Sequence, residues 1–216
     1  MTHIAILTDT LQQGECHATA FGDSASIATL SVGSRRVLVC APETADPRAT
    51  VRALRDLGVT HVWLCESVGA LSPLLDVGDW LVPDDYIDGT RGQHYTYFSE
   101  KAGGYAQQTP PFDPASRDAL TVGAGSVSAR TFRRGVYVCV SNTRLETPAE
   151  AAFWTRAGGH VVGRFLSPCL TLARELGMEV AVLAQVVRSG GEPGSALPLA
   201  TYEPALVTAF NSLASD

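Results

Sequence analysis

The feature that most constrains the fold is the alternation of short apolar segments with segments that carry helix signals, over nearly the whole chain of 216 residues. Several short segments, such as Ile4–Leu7, are apolar throughout. That pattern is typical of strands buried on both faces, as in parallel sheets. The predicted strands are Ile4–Leu7, Ile27–Val32, Val37–Cys40, His61–Cys65, Trp80–Val82, Val136–Val140, His160–Val162 and Val180–Val187.

Prolines and capping residues mark the starts of the predicted helices. Asp46-Pro47 begins one helix, and Thr147-Pro148-Ala149-Glu150 is a capping box with proline at the first helical position. Ser167-Pro168 begins another helix, and the last one starts at about Pro204. Strands followed by helices predict an α/β fold with a mixed twisted β-sheet flanked by helices. The length favours a single domain over residues 1–216.

Composition excludes several classes of partner. With 16 basic against 22 acidic side chains, the net charge of −6 is a poor match to a phosphate backbone, so we expect no nucleic-acid partner. No apolar run reaches the roughly 18 residues of a membrane helix, and the amino terminus lacks a basic leader, so we expect no membrane partner. The 5 cysteines are widely spaced, which favours a reduced, cytoplasmic protein. No metal-ligand spacing occurs, so neither a metal nor a cofactor is expected.

One segment departs from the regular alternation. Asp84–Pro114 is rich in Gly, Gln, Tyr and Pro and shows little periodicity. Irregular segments of this length in a compact domain are more often functional or interfacial than idle.

Blocks in the middle of the chain resemble the purine nucleoside phosphorylase family, especially its methylthioadenosine phosphorylase branch. They are Thr50–Gly58, Ser67-Val68-Gly69-Ala70-Leu71, Asp76–Asp84 and Ile87-Asp88-Gly89-Thr90. The likeness resumes at Pro111-Phe112-Asp113-Pro114 and over Gly135–Gly177, where Val138–Glu150 and Leu172–Gly177 match family segments. It covers most of the chain. The resemblance implies a three-layer phosphorylase/nucleosidase-like sandwich and a homotrimer with active sites at subunit contacts.

The implied reaction displaces a purine from a pentose with phosphate as co-substrate. Its oxocarbenium-like transition state needs an anion on one face of the sugar. The family's first phosphate contact falls at Thr8-Asp9-Thr10, its Arg-His pair falls at about Ala41-Pro42, and its third contact falls at Glu66. Carboxylates at Asp9 and Glu66 would repel a phosphate dianion. The residues therefore predict a strongly diverged phosphate site.

The base and sugar contacts implied by the resemblance also differ here. The family's purine-binding acid is replaced by Arg188, which cannot accept a hydrogen bond from a protonated purine. It is able to bind a carboxylate, a carbonyl or a phosphate, which suggests a ligand that is acidic at its base end. At the sugar, Arg164 and Phe165 stand where the family has Met-Thr. Tyr105 aligns near a partner-subunit histidine, and His94 lies in the same irregular segment.

The candidate catalytic residues are Arg188 and Glu66. The candidate substrate-binding residues are Thr8, Asp9, Thr10, Ser67, Val68, Gly69, Phe165, Arg164, Tyr105 and His94. The predicted function is cleavage of a nucleoside N-glycosidic bond, with a nucleoside-like small molecule as ligand. Two alternatives stay open: a catalytically degenerate paralogue that binds a metabolite or serves as a trimeric scaffold, and a nucleoside hydrolase in which Asp9 or Glu66 activates water.

Overall fold

The computed structural model describes residues 3–98, 104–141 and 144–213. Its helices are α1 (Pro47–Asp56), α2 (Pro114–Val127), α3 (Pro148–Arg156), α4 (Cys169–Glu175) and α5 (Leu199–Leu213). Its strands are β1 (Ile4–Thr8), β2 (Ala18–Thr19), β3 (Gly22–Asp23), β4 (Ile27–Val32), β5 (Arg35–Cys40), β6 (His61–Ala70), β7 (Trp80–Leu81), β8 (Asp85–Asp88), β9 (Thr131–Phe132), β10 (Val136–Cys139), β11 (Val161–Gly163) and β12 (Glu179–Ser189).

The central sheet is mixed and has 10 strands, and β6 is its hub. The order β4-β5-β1-β6-β11-β10-β8 forms the main path, while β12 joins β6 to β7 and β9 pairs with β7. Strands β1 and β12 run parallel to β6. Strand β11 pairs in the antiparallel direction with the last residues of β6, Gly69 and Ala70. The predicted mixed sheet is confirmed. A short hairpin, β2–β3, forms a separate two-stranded sheet.

Helices cover both faces of the sheet, which explains why the strands are apolar throughout. On one face, α1 and α4 pack through residues such as Leu54 and Leu172. On the other face, α2 and α5 contribute Leu120 and Phe210 to a second core. Helix α3 packs Trp154 against a smaller cluster beside β10 and β11. The sandwich of helices around one sheet therefore agrees with the predicted α/β class.

Several predicted boundaries are corrected by the structure. The strand expected to end at Cys65 continues through Glu66 to Ala70. Helix α5 begins at Leu199 instead of Pro204, with that proline inside its first turns. Helix α2 was not predicted, because glycines interrupt the periodic pattern of apolar residues in this segment. The helix packs against α5.

The irregular segment Asp84–Pro114 contains one strand, β8, that its polar sequence did not signal. Residues 99–103 of that segment and residues 142–143 of the family-like block lie outside the described residues. The capping box at the start of α3 is confirmed, with the Thr147 hydroxyl and the Glu150 carboxylate both engaged.

Candidate active site

The register of the sheet brings Asp9 and Glu66 together. Thr8 at the end of β1 pairs with Cys65 of β6, so the next residue of each chain segment, Asp9 and Glu66, follows at the same edge. Glu66 also pairs with Ala184 of β12. Parallel strands lie about 4.8 Å apart, and ligands in α/β sheets bind beyond their carboxyl ends. The two carboxylates therefore lie where this fold class places a ligand.

Glu66 is buried and fully engaged. Its side chain is only 1% exposed. The Tyr137 hydroxyl donates to Oε2, the Arg164 N–H donates to Oε1 at 2.6 Å, and the Phe165 N–H donates to Oε2 at 3.4 Å. Burial raises the pKa of Glu66 to about 7, and the charge of Asp9 adds to the increase, although these hydrogen bonds oppose it. The carboxyl group thus changes its protonation near neutral pH.

The backbone around Glu66 is shaped to receive its carboxylate. A Cβ atom on Gly163 would lie 2.7 Å from Glu66 Oε1 and would also strike the Tyr137 hydroxyl. Only glycine fits there, and it lets the chain from Gly163 to Phe165 wrap closely around the carboxylate. Glu66 is therefore held by a cradle formed from β11 and the residues that follow it.

Asp9 has one oxygen paired and one without a partner. The Ser67 N–H donates to Oδ2 at 3.1 Å. Within the described parts of the chain, the buried Oδ1 has no hydrogen-bond partner. Burial raises the pKa of Asp9, and the hydrogen bonds from Ser67 only partly oppose it. Two like unit charges about 4 Å apart repel by about 4 kcal/mol at an effective dielectric constant of about 20, so a second anion beside this pair would be costly.

The hydroxyl groups near Asp9 are satisfied by the protein. The Thr8 and Thr10 hydroxyls lie 3.3 Å apart, and Thr8 is buried. Ser67 Oγ accepts from the Leu197 N–H at 2.8 Å and lies 3.3 Å from the Tyr202 hydroxyl. These contacts fix the strand ends. Of the two threonines, Thr10 is the more accessible to a ligand.

Arg188 forms a buried ion pair with Glu146 of the same chain. It is 5% exposed and donates to both Glu146 oxygens, at 3.0 and 3.1 Å. Arg164 approaches the same carboxylate at 3.6 Å, and the Gly191 N–H donates to it at 3.2 Å. Burial alone would raise the pKa of Glu146, but hydrogen bonds from Arg188 and the charges of both arginines outweigh it, so the pKa is lowered. The sequence predicted that Arg188 binds an acidic group of a ligand. In the structure, the acidic partner of Arg188 is the Glu146 carboxylate of the same chain.

Val68 and Gly69 contribute to the packing beneath this ion pair. Val68 is fully buried, and its side chain packs in the core on the α1 and α4 face, so the structure leaves none of this residue open to a ligand. A Cβ atom on Gly69 would lie 2.6 Å from Arg188 Nη1. The glycine therefore makes room for the guanidinium group.

A cleft of about 250 Å³ opens beside Arg164 and Phe165, the two residues whose backbone N–H groups donate to Glu66. Its walls come from the loop after β5, the irregular segment and the residues after β11. The lining residues are Pro42, Ala45, Pro47, Gln93, Arg164, Phe165, Ser167, Pro168 and Cys169. The Ser167 hydroxyl donates to Asp88 at 2.5 Å, which ties the cleft to β8. A larger groove of about 830 Å³ lies at the other end of β1, near Ile4 and Leu213.

The structure brings most candidate residues together but not all. Phe165 and Arg164 line the cleft, and their backbone contacts Glu66. His94 is exposed next to the cleft residue Gln93, and its charge acts on Asp46 at the start of α1. Tyr105 is 89% exposed and is not among the residues that line the cleft. Tyr105 is therefore separate from the other candidates within this chain.

Two central residues of the site, Tyr137 and Glu146, were not predicted. Tyr137 lies inside an apolar strand segment, where the sequence pattern indicates a core residue and not a site residue. Glu146 belongs to the family-like block before α3, next to residues assigned to capping. The only available signal was the burial expected for a tyrosine hydroxyl in an interior strand, which requires a partner.

Among residues 3–98, 104–141 and 144–213, His, Cys, Asp and Glu side chains form no group of three or more suited to a metal ion. In the same part of the chain, no helix has the length and hydropathy to cross a membrane.

The fold and the strand-end site define a member of the phosphorylase superfamily, whose sequence model matches residues 5–209, and the chain belongs to that family. A probable S-methyl-5'-thioinosine phosphorylase of Methanothermobacter thermautotrophicus is 34% identical over 177 residues, covering 78% of this chain and 61% of the relative. The S-methyl-5'-thioadenosine phosphorylase of Thermofilum pendens is 29% identical over 171 residues, covering 79% of this chain and 64% of the relative.

Solved structures show the same fold. The methylthioadenosine phosphorylase of Schistosoma mansoni in complex with tubercidin superposes with a TM-score of 0.82 at 21% identity, covering 100% of this chain and 93% of that one. The resemblance to the methylthioadenosine phosphorylase branch is thus confirmed. The chain spans about three fifths of the length of these two curated relatives.

Proposed function

We propose that this protein cleaves the N-glycosidic bond of a purine nucleoside. The observation that carries the proposal is the pair of carboxylates, Asp9 and Glu66, at the strand ends of a phosphorylase fold, with Glu66 held by the backbone of the cleft residues Arg164 and Phe165. Cleavage gives the sugar an oxocarbenium character, and negative charge on one of its faces stabilises that state. The relatives named for methylthioadenosine and methylthioinosine support a 5'-substituted purine nucleoside as the substrate.

In this proposal, each part of the site has a distinct task. Phe165 packs against the sugar or base ring, and Thr10 and the Phe165 backbone orient the ligand. Glu66 supplies negative charge at the sugar. Arg188 acts as a positioning residue, because it reaches the site only through Glu146 and Arg164.

The remaining expectations belong to the same proposal. We propose a single-domain protein that works in the cytoplasm as a homotrimer, with Tyr105 and His94 available at a subunit contact and no cofactor apart from phosphate as a possible co-substrate. Light scattering of the purified protein measures the oligomeric state directly.

Chromatographic assay of base release tests the function. Methylthioadenosine, methylthioinosine, adenosine and inosine are incubated with the protein, and free purine is quantified. At least one of them should yield purine above the uncatalysed rate. Phe165→Ala should raise KM about 10-fold, because a cleft-lining aromatic contact contributes about 1.4 kcal/mol. Phe153→Ala, on the exposed side of α3, is the matched control and should leave KM unchanged. Absence of purine release from all four nucleosides would contradict the proposal.

A second candidate function is metabolite binding without turnover. It is favoured by one observation: all donors around Glu66, and the buried guanidinium of Arg188, already have partners within the chain. A nucleoside that raises the melting temperature of the protein without being cleaved would support this candidate.

A further inference from the structure

We propose that the second substrate of this site is water and not phosphate, because Glu66 holds with its own carboxylate the hydrogen-bond donors that an inorganic anion would need. The inference rests on the proposed glycosidic cleavage and adds the identity of the group that attacks the sugar.

The first argument concerns hydrogen-bond donors. The Tyr137 hydroxyl and the backbone N–H groups of Arg164 and Phe165 all point at Glu66. Gly163 lies so close to this carboxylate that a Cβ atom there would come within 2.7 Å of Glu66 Oε1. A phosphate that entered the site would find these donors already bonded to the Glu66 carboxylate. They lie at the strand end that this fold class uses for ligands.

The second argument concerns charge. Three carboxylates, Asp9, Glu66 and Glu146, lie in this region with two guanidinium groups, Arg164 and Arg188. Both arginines are directed at Glu146. Asp9 and Glu66 are therefore left without a cationic partner among the described residues, so a phosphate placed beside them would face two acidic groups with no cation paired to either.

The third argument concerns the unpartnered oxygen. Asp9 Oδ1 is buried and accepts no hydrogen bond from the described residues, whereas Oδ2 is held by the Ser67 N–H. A buried carboxylate oxygen of this kind is completed by a water molecule that donates to it. Asp9 is thus oriented by one oxygen, while the other keeps its capacity to accept a hydrogen bond from the nucleophilic water of the proposed step, as a general base requires.

The proposed step balances as a hydrolysis. The water oxygen forms a bond to the anomeric carbon while the carbon–nitrogen bond breaks, and the electron pair of that bond leaves with the purine. One proton of the water passes to Asp9 Oδ1, and the purine takes up a proton from solvent. The products are a free pentose and a free base.

The test compares base release in phosphate-free buffer and in millimolar phosphate, and follows the sugar product in isotopically labelled water by mass spectrometry. We expect equal rates in both buffers and labelled oxygen on the pentose. Asp9→Asn should lower kcat by about 10²–10⁴-fold with little change in KM. Asp56→Asn, which removes a charge from the exposed side of α1, is the matched control and should retain the rate.

Strict dependence on phosphate, with a pentose 1-phosphate as the product, would overturn the inference while the proposed glycosidic cleavage stands. Purine release from no nucleoside in either buffer would overturn both. Because the wild-type product alone separates water from phosphate, the test does not depend on the folding of the Asp9 variant.

Discussion

Replacing Glu66 by glutamine should make the protein less sensitive to pH. In the folded state the pKa of Glu66 is about 7, against a usual value of 4.5. The folded protein therefore binds a proton that the unfolded chain releases, and stability falls as the pH rises through the window from 4.5 to about 7. Glutamine occupies the same volume without ionising.

The magnitude follows from the two pKa values. The difference between 4.5 and about 7 corresponds to about 3 kcal/mol of unfolding free energy, present below pH 4.5 and lost above about pH 7. The glutamine amide is a weaker acceptor than the carboxylate for the hydrogen bond from the Arg164 N–H. This difference lowers the unfolding free energy of the variant by about 1 kcal/mol. That cost applies equally at both pH values, so it cancels from the pH dependence.

Urea unfolding followed by the fluorescence of buried Trp63 and Trp80 measures the effect. Between about pH 4.5 and about pH 8, the difference in stability between Glu66→Gln and the wild type should move by about 3 kcal/mol in favour of the variant. Glu179→Gln, at the exposed start of β12, is the control and should keep the wild-type pH dependence. Parallel pH profiles for the wild type and Glu66→Gln would refute the reasoning.

Two further predictions concern packing and the buried ion pair. Gly125→Ala on α2 should stabilise the protein by about 0.5–1 kcal/mol, because the added methyl group meets no neighbour and alanine favours the helix. Gly123→Ala should destabilise it by about 1–3 kcal/mol, because its Cβ would press on the Ala205 carbonyl of α5. Urea unfolding of both variants checks this, and equal effects would contradict the packing. Arg188→Met should cost about 3–5 kcal/mol, because it leaves the Glu146 carboxylate buried without its principal partner. A change below about 1 kcal/mol in the same assay would show that Glu146 is adequately held by other groups.

The sheet and most helices could be predicted because their signals are local. Apolar runs, proline at the first helical turn and capping residues each act over a few positions, and the capping box of α3 shows how complete such a signal is. The resemblance to the phosphorylase family placed Asp9 and Glu66 at one phosphate site, and the strand register puts both at the same edge of the sheet. The predicted end of β6 was wrong, because a glutamate normally terminates a buried strand and here the strand continues through Glu66.

The partners of the buried charges could not be predicted, because they are distant in sequence. Tyr137 lies 71 residues from Glu66, and Glu146 lies 42 residues from Arg188. Each pairing exists only after the sheet has formed, and it depends on close approaches such as that of Gly163. The sequence alone therefore showed unpaired charges in a cleft, whereas the structure shows that Arg188 is neutralised and that Glu66 is held by donors.

The length of β6 has a consequence for how this site adapts. Glu66 lies on a central strand and not on a loop: it pairs with Ala184 of β12, one position beyond the last pair between β6 and β1. Amides of such central strands exchange with solvent only through the rarest openings of a protein. The position of the Glu66 carboxyl group is therefore as persistent as the fold itself. If the proposed function holds, the choice among nucleosides is set by the surrounding loops, which carry Gln93 and Pro42 to the lining of the cleft.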